Sequence, residues 1–265
     1  MRTVAKSSGV AVASLDSIER APRPPASAST PDLRAGPDVN CEFCEIRHLA
    51  LCAGLEDHEI GDLEAIVVHV TLGPGRTLFC EGDTDNYVFN VTSGAIRLYK
   101  LLSDGRRQIT GFMLPGDYLG LATGKGYAYS AEAITETRLC RFPADDLAEL
   151  LIKYPKLERR LLGMTRDELA TAQDQMLLLG RKTPVEKLAS FLLDLSGRAV
   201  RLGHPDDEVR LPMSRGDVAD YLGLTVETVS RTLSRIKGER IIHMPESNLI
   251  RFRDRERLED LAVGL

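Results

Sequence analysis

Tryptophan is absent from the 265 residues, and only 5% are aromatic. That scarcity excludes little, but the other absences are sharper. No apolar run approaches the eighteen or so consecutive residues of a membrane helix. A secretory leader needs a longer apolar run behind a basic start than Val10 to Leu15 provides. The expectation is a cytoplasmic protein without a membrane partner, in which thiols stay reduced. Positive charge is not in surplus either, since the formal net charge is −5. This is a poor balance for coating nucleic acid regardless of sequence, so contact with it would rest on a local basic surface and on base readout. Even Leu211 to Leu265 carries nine Lys or Arg against nine Asp or Glu. Finally, no nucleophile stands beside a base and no glycine loop is built to cradle phosphate, so no enzyme is expected.

With 43% hydrophobic and 28% charged residues, the chain can bury one or two cores. Residues 1 to 40 include APRPPASASTP and have little apolar periodicity, which reads as a disordered tail. The most informative stretch runs from Pro212 to Arg235. Ser214 with Asp217 three residues on is a helix start, and Val218, Ala219 and Leu222 share a face of the short helix that Gly223 ends. Thr225 can cap a second helix, on which Val229, Leu233 and Ile236 face inward. Two short helices about a Gly turn suggest a helix-turn-helix. Glu227, Ser230, Arg231, Ser234 and Arg235 form one stripe on the second helix. Arg can bond guanine bidentately, Glu can accept from cytosine N4, and Ser or Thr reaches a base edge or a phosphate. From polarity alone the same stripe is also an ordinary solvated face.

Cys41, Cys44 and Cys52 stand at C-x2-C-x7-C. Three cysteines within twelve residues of a cytoplasmic chain that has five argue for a metal or redox site. The spacing suits thiolates on the corners of an iron–sulfur cube. Adding His48 gives Cys41, Cys44, His48 and Cys52, a tetrahedral Zn2+ set. Spacing alone leaves both open.

From about Leu55 to Phe142 short β-rich runs alternate with turns. Ala95 to Leu102 and Gln108 to Met113 have strand length about the Asp104-Gly105 hairpin signal, and the layout implies a small β-roll. Residues 155 to 181 read as one long helix opened by a proline and ending near Gly180. Pro184 to Leu195 starts the C-terminal domain with Leu188, Phe191, Leu192 and Leu195 on one face. Ile241 to His243 and Leu249 to Phe252 suggest a wing hairpin, where Arg251 and Arg253 are either phosphate contacts or plain surface charges.

Gly216 to Arg231, GDVADYLGLTVETVSR, resembles the DNA-binding helices of the CRP/FNR regulators, most closely the FNR branch. The resemblance implies an α+β fold: an N-terminal β-roll sensory domain like that of cyclic-nucleotide-binding proteins, a long dimerisation helix, and a C-terminal winged helix-turn-helix. The corresponding boundaries are a cluster loop and roll over 41 to 154, the helix over 155 to 181 and the DNA-binding domain over 182 to 265. It implies that Glu227, Ser230 and Arg231 read a TTGAT half-site, with Thr225, Ser234 and Arg235 beside them. The target would be a TTGAT-N4-ATCAA-like palindrome, and the partners double-stranded DNA, a second copy of the chain and RNA polymerase. The docking geometry is that of the family, of which the catabolite activator protein is a standard example. The cysteine spacing is similar to that of the FnrL and FnrN branch, whose oxygen sensors complete a [4Fe-4S] cluster with a later cysteine, matched here by Cys140. Zn2+ remains the alternative metal, and nitric oxide an alternative signal. Cys80 has no such counterpart and reads as a small buried residue on a strand.

Relatives that bind cAMP carry a Glu after a Gly and an Arg-Ser or Arg-Thr pair. The stretch from Tyr118 through Gly120 and Lys125 to Ala131 has neither, since no Arg precedes Ser130, so no cyclic nucleotide is expected. Two stripes run along the long helix. Leu162, Thr165, Leu169, Ala172, Met176 and Leu179 could pack on the roll. Aligning LLLGRK with the family puts Leu157, Arg160, Met164, Asp167, Thr171, Asp174 and Leu178 at the dimer seam, where apposed Asp167 and Asp174 would weaken the dimer; the alternative is that these aspartates sit on a solvated face.

Overall fold

Alternating apolar residues build the N-terminal half from short antiparallel strands. The computed structural model describes residues 34–35, 41–120 and 126–265. Lys125 lies outside the described residues, as does the expected tail apart from Arg34 and Ala35. One sheet has the order β1 (Arg34–Ala35), β2 (Val68–Leu72), β9 (Thr137–Pro143), β4 (Tyr87–Ser93), β7 (Tyr118–Leu119). The other runs β3 (Thr77–Phe79), β8 (Ser130–Ala133), β5 (Ile96–Leu101), β6 (Arg107–Met113). The tail expectation is corrected at Arg34 and Ala35, which pair with Thr71 and Val70 of β2. Val70, Leu72, Phe89, Val91, Ile96, Leu98 and Leu139 fill the roll. Phe79 stacks on Tyr127 within it, ring centroids 3.7 Å apart.

A helix the strand pattern did not mark, α1 (Ile60–Ile66), interrupts the β-rich stretch, and a second, α2 (Ala144–Lys153), follows it directly. The long helix is α3 (Pro155–Arg181), with its proline in the first turn, where the missing N–H is not needed. α4 (Pro184–Arg201) starts with a reciprocal cap between Thr183 and Glu186 and runs beyond the expected Leu195. A three-stranded sheet of β10 (Glu208–Arg210), β12 (Leu249–Phe252) and β11 (Ile242–Glu246) forms the wing around α5 (Arg215–Leu222) and α6 (Val226–Gly238). α7 (Arg255–Val263) closes the domain against α4. Among the described residues no helix is long and apolar enough to cross a membrane.

The two halves share a buried core. Ile109 and Phe112 of β6 pack in one cluster with Phe191 and Leu192 of α4 and Leu222 of α5. The Phe112, Phe191 and Tyr221 rings lie mutually tilted, with centroids 5.2 to 6.1 Å apart. Around them Arg107 bonds both Asp217 and Asp220 at 2.8 Å.

The two faces of α3 differ in burial within the chain. Leu157 and Leu178 are buried within their own chain, and Met164 packs on the core beneath the cysteines. Arg160 donates to the carbonyl oxygens of Leu49 and Ala50. Those four residues are occupied within their own chain. Asp167, Thr171 and Asp174 continue the same side, exposed. The stripe expected to lie on the roll is the open one: Leu162, Leu169 and Met176 are 50, 60 and 72% exposed. Both stripes obey the helical period equally well, so periodicity alone could not choose between them.

Candidate metal centre and nucleic-acid interface

Two short 3-10 turns, Cys41–Phe43 and Leu51–Gly54, carry Cys41 and Cys52, and Cys44 directly follows the first. Arg47 pins the segment between them, donating to Asp57 at 2.6 Å and to the Leu55 carbonyl at 3.0 Å. The Cys41 amide donates to Glu64 of α1 at 3.2 Å. Cys140 reaches the same place from the middle of β9. Cys41, Cys44, Cys52 and Cys140 line one small cavity, closed by Ile46, Ala50, Leu63 and Phe142 and by two polar side chains, His69 and Asn90. All four thiols are free.

Burial pushes the Cys41 thiol up to about 11, with Glu64 and Cys44 adding to the effect. It pushes Cys52 up to about 12, helped by Cys44 and Cys41. Cys140 rises furthest, by burial first and then by its three neighbouring thiols. Unmetallated, Cys41, Cys52 and Cys140 are neutral at physiological pH. A thiolate set here requires a positively charged guest, which displaces the protons as it binds.

The donor set fits a cluster better than a single ion. His48, the fourth member of the zinc set, is exposed and does not line the cavity. Among the described residues no three His, Cys, Asp or Glu side chains are placed to hold one metal ion. Tetrahedral zinc needs its ligands about 2.0–2.3 Å from a single centre, whereas cysteines on a cube are spread over its corners. Cys80 lies just beyond β3, half-buried, with its amide held by Asp83 at 2.8 Å, and it does not line the cavity.

The candidate recognition helix is built as its sequence directs. Ser214 and Asp217 cap α5 reciprocally, and Gly223 ends it in the left-handed region at φ 61°, which a Cβ would strain. Thr225 caps α6 by accepting from the Thr228 amide at 3.1 Å. Val229, Leu233 and Ile236 are buried below. Glu227, Arg231, Ser234 and Arg235 are exposed above, and Ser230 is half-buried beside the Arg215 guanidinium at 3.3 Å. Glu227 and Arg231 form an exposed pair at 2.6 Å, and Arg235 bonds Glu239 at 2.8 Å. Exposed pairs of this kind are worth about 0.2–1 kcal/mol, so they open at little cost. In the wing, Arg251 is held by Glu208 at 2.6 Å.

Sequence reasoning missed His69, Asn90 and the second role of Asp217. His69 and Asn90 become visible only through strand register. Asp217 was legible as a cap, but its bonds to Arg97 and Arg107 come from strands more than a hundred residues earlier.

A sensory-type roll, a long helix with an open apolar stripe and a winged helix-turn-helix with a free polar face define a DNA-binding transcription regulator. Residues 69–154 match the family described as "Cyclic nucleotide-binding domain", and residues 186–261 match "Crp-like helix-turn-helix domain". The chain is 42% identical over 238 residues to the transcriptional activatory protein AadR of Rhodopseudomonas palustris, a match covering 87% of this chain and 98% of the relative. It is 40% identical to the transcriptional activator protein FnrL of Cereibacter sphaeroides, covering 76% and 83%. The solved structure of FixK2 from Bradyrhizobium japonicum superposes with a TM-score of 0.70 at 41% identity, covering 74% of this chain and 97% of that one. The chain therefore belongs to the CRP/FNR family, on its FNR branch. Members of this family act on DNA as homodimers and are not enzymes.

Proposed function

We propose that the protein is an oxygen-responsive regulator that grips a TTGAT-N4-ATCAA-like palindrome while a [4Fe-4S] cluster is intact. One observation carries the reading: cysteines a hundred residues apart in sequence, Cys41, Cys44, Cys52 and Cys140, wall a single cavity. When bound, such a cluster ties four thiolates to one oxygen-labile centre. The chain's own residues then transmit the state of that tie. Leu51–Gly54 rests on the start of α3, so holding the cysteine segment in place also holds that helix. A second copy docks on the stripe of Leu162, Leu169 and Met176, which recur every seventh residue as a parallel helix pair requires. Thr165, Ala172 and Leu179 flank that seam. Pairing sets two α6 helices about 34 Å apart, one turn of DNA, where Glu227, Ser230 and Arg231 read bases and Thr225, Ser234 and Arg235 support them. RNA polymerase is the further partner at the promoter, in the cytoplasm.

Cyclic nucleotide is not the effector in this reading. Phe79, Phe89 and Tyr127 occupy the roll interior, and the stretch from Tyr118 to Ala131 lacks the Glu and Arg that would bind a phosphate. The test is anaerobic purification followed by iron and sulfide analysis, visible absorbance and operator binding before and after air. About four irons and four sulfides per chain, with operator binding lost as the colour bleaches, is the expected result. A colourless, iron-free protein that still binds the operator would leave a regulator without a cluster.

A further inference from the structure

Cys140 sits at the centre of a three-residue row across the sheet. On one side its register partner on β2 is His69, and on the other its register partner on β4 is Asn90. Residues directly opposite in antiparallel strands put their side chains on the same face. All three line the cysteine cavity, and among the described residues His69 and Asn90 are the only polar side chains lining it besides the thiols. His69 Nδ1 already lies 3.7 Å from the Cys140 sulfur.

Asn90 is the less easily explained of the two. It is 2% exposed, and its Oδ1 has no hydrogen-bond partner. A buried amide left half unsatisfied is unfavourable, and such atoms in folded proteins usually meet a partner that is absent from the bare chain. Turning the amide by half a rotation offers its two N–H donors at the same point. A sulfur-rich guest that accepts hydrogen bonds would use them.

We propose that His69 and Asn90 are positioning residues for the cluster, offering hydrogen bonds to the Cys140 sulfur and into the cavity it lines, and so setting how long the cluster survives in oxygen. This rests on the cluster reading above. Hydrogen bonds to the sulfurs and solvent exclusion are the protein's main means of tuning such a centre. With ligands fixed by Cys41, Cys44, Cys52 and Cys140, this row is where tuning can occur without loss of a ligand.

The experiment uses the full-length protein, reconstituted without oxygen, as wild type, His69→Phe, Asn90→Leu and His69→Gln. Both apolar variants are expected to hold iron and sulfide at the wild-type level. In air-saturated buffer their visible absorbance should decay about tenfold faster than that of wild type, the lower end of what loss of such supporting contacts costs. Their midpoint potential should fall, because fewer donors face the sulfurs, and His69→Gln should return the lifetime toward the wild-type value. If Asn90→Leu fails to fold, Asn90→Ser replaces it. Equal lifetimes and potentials in wild type and variants would overturn the proposal, as would decay that accelerates equally under argon with no shift in potential. A wild-type protein that takes up no iron removes the cluster reading and this proposal together. Loaded wild type with indifferent variants removes the proposal alone.

Discussion

Gly54 lies against the backbone of Leu157. A Cβ added at Gly54 would stand 3.1 Å from the Leu157 Cα and 3.0 Å from the Lys156 carbonyl oxygen. Both neighbours are main chain and cannot swing aside. The turn that carries Cys52 is thereby pressed onto the first turns of α3, and Arg160 adds its bonds to Leu49 and Ala50. Gly54→Val should force this contact apart at about 1–3 kcal/mol. The expected outcome is a protein that still takes up iron and sulfide but whose dimer is equally weak with and without air. Sedimentation alongside iron analysis checks it; a variant whose dimerisation still follows the cluster would place the coupling elsewhere.

The open stripe of α3 makes a prediction opposite to one drawn from alignment alone. Leu169→Glu replaces an apolar contact made twice in a two-fold pair with two like charges, which repel by about 4 kcal/mol at 4 Å and an effective dielectric of 20. The dimer constant should weaken at least a hundredfold, since about 2.7 kcal/mol suffices for that. Asp174→Ala, on the far side, should leave dimerisation unchanged. A dimer gained on removing Asp174 would restore the original assignment of faces.

The difference between those two stripes marks how far the sequence could be read. The caps at Ser214 and Thr225, the stop at Gly223 and the start at Pro155 depend on neighbours within a few residues, and local chemistry decides them. Which side of α3 turns inward depends on the cysteine turn docking from a hundred residues earlier, and no local rule contains that. The same holds in the sensory domain. C-x2-C-x7-C marked three thiols as a site, yet His69 and Asn90 have no spacing relation to them, because strand register brings them alongside Cys140. The helix α1 was missed because its short apolar set reads as well in strand as in helix.

Thiol chemistry fixes the direction of the pH dependence. Burial pushes the Cys41 and Cys52 thiols up to about 11 and about 12, whereas a metal ligand must be a thiolate. Cluster binding therefore releases protons, and retention should weaken as pH falls, by up to about tenfold per released proton and pH unit. Iron loss to a chelator measured under argon at pH 6 and pH 8 should be faster at pH 6. For the cluster-free protein the sign reverses. Folded thiols hold their protons above the unfolded value of 9.0, so their stabilising effect is full below pH 9 and is lost as pH rises through 11 to 12. Alkaline denaturation of the apoprotein should shift upward on Cys52→Ala.

On α6, Arg231 and Glu227 hold each other at 2.6 Å in the free protein. Arg231→Ala should lower affinity for the TTGAT palindrome by about 1–3 kcal/mol per half-site and relax discrimination at one base pair. Arg235→Ala, if Arg235 meets phosphate, should weaken specific and nonspecific DNA alike and lower the salt slope by about one per subunit. Binding isotherms on the operator and on single-base variants at several salt concentrations separate the two. Equal losses on every sequence for Arg231→Ala would reduce it to a phosphate contact.

Asp217 joins the two halves of the molecule. One carboxylate oxygen takes Arg97 at 3.0 Å and Arg107 at 2.8 Å, and the other takes the Ser214 hydroxyl at 2.7 Å and amide at 3.1 Å. The side chain is 4% exposed, so its charge is compensated by the two guanidiniums from the roll. Asp217→Ala removes a helix cap and leaves Arg97 with Glu132 and Arg107 with Asp220 as their remaining carboxylate partners, so the loss should be about 1–3 kcal/mol. Asp217→Asn keeps an acceptor for the Ser214 amide and should cost less. If the carboxylate acts as the joint, Asp217→Ala and Arg107→Ala combined should destabilise by less than their sum, with a coupling of at least about 1 kcal/mol in denaturant unfolding. Strict additivity would mean that Asp217 serves only α5, and that the position of the DNA-binding domain against the roll depends on the packing of Phe112, Phe191 and Tyr221 instead.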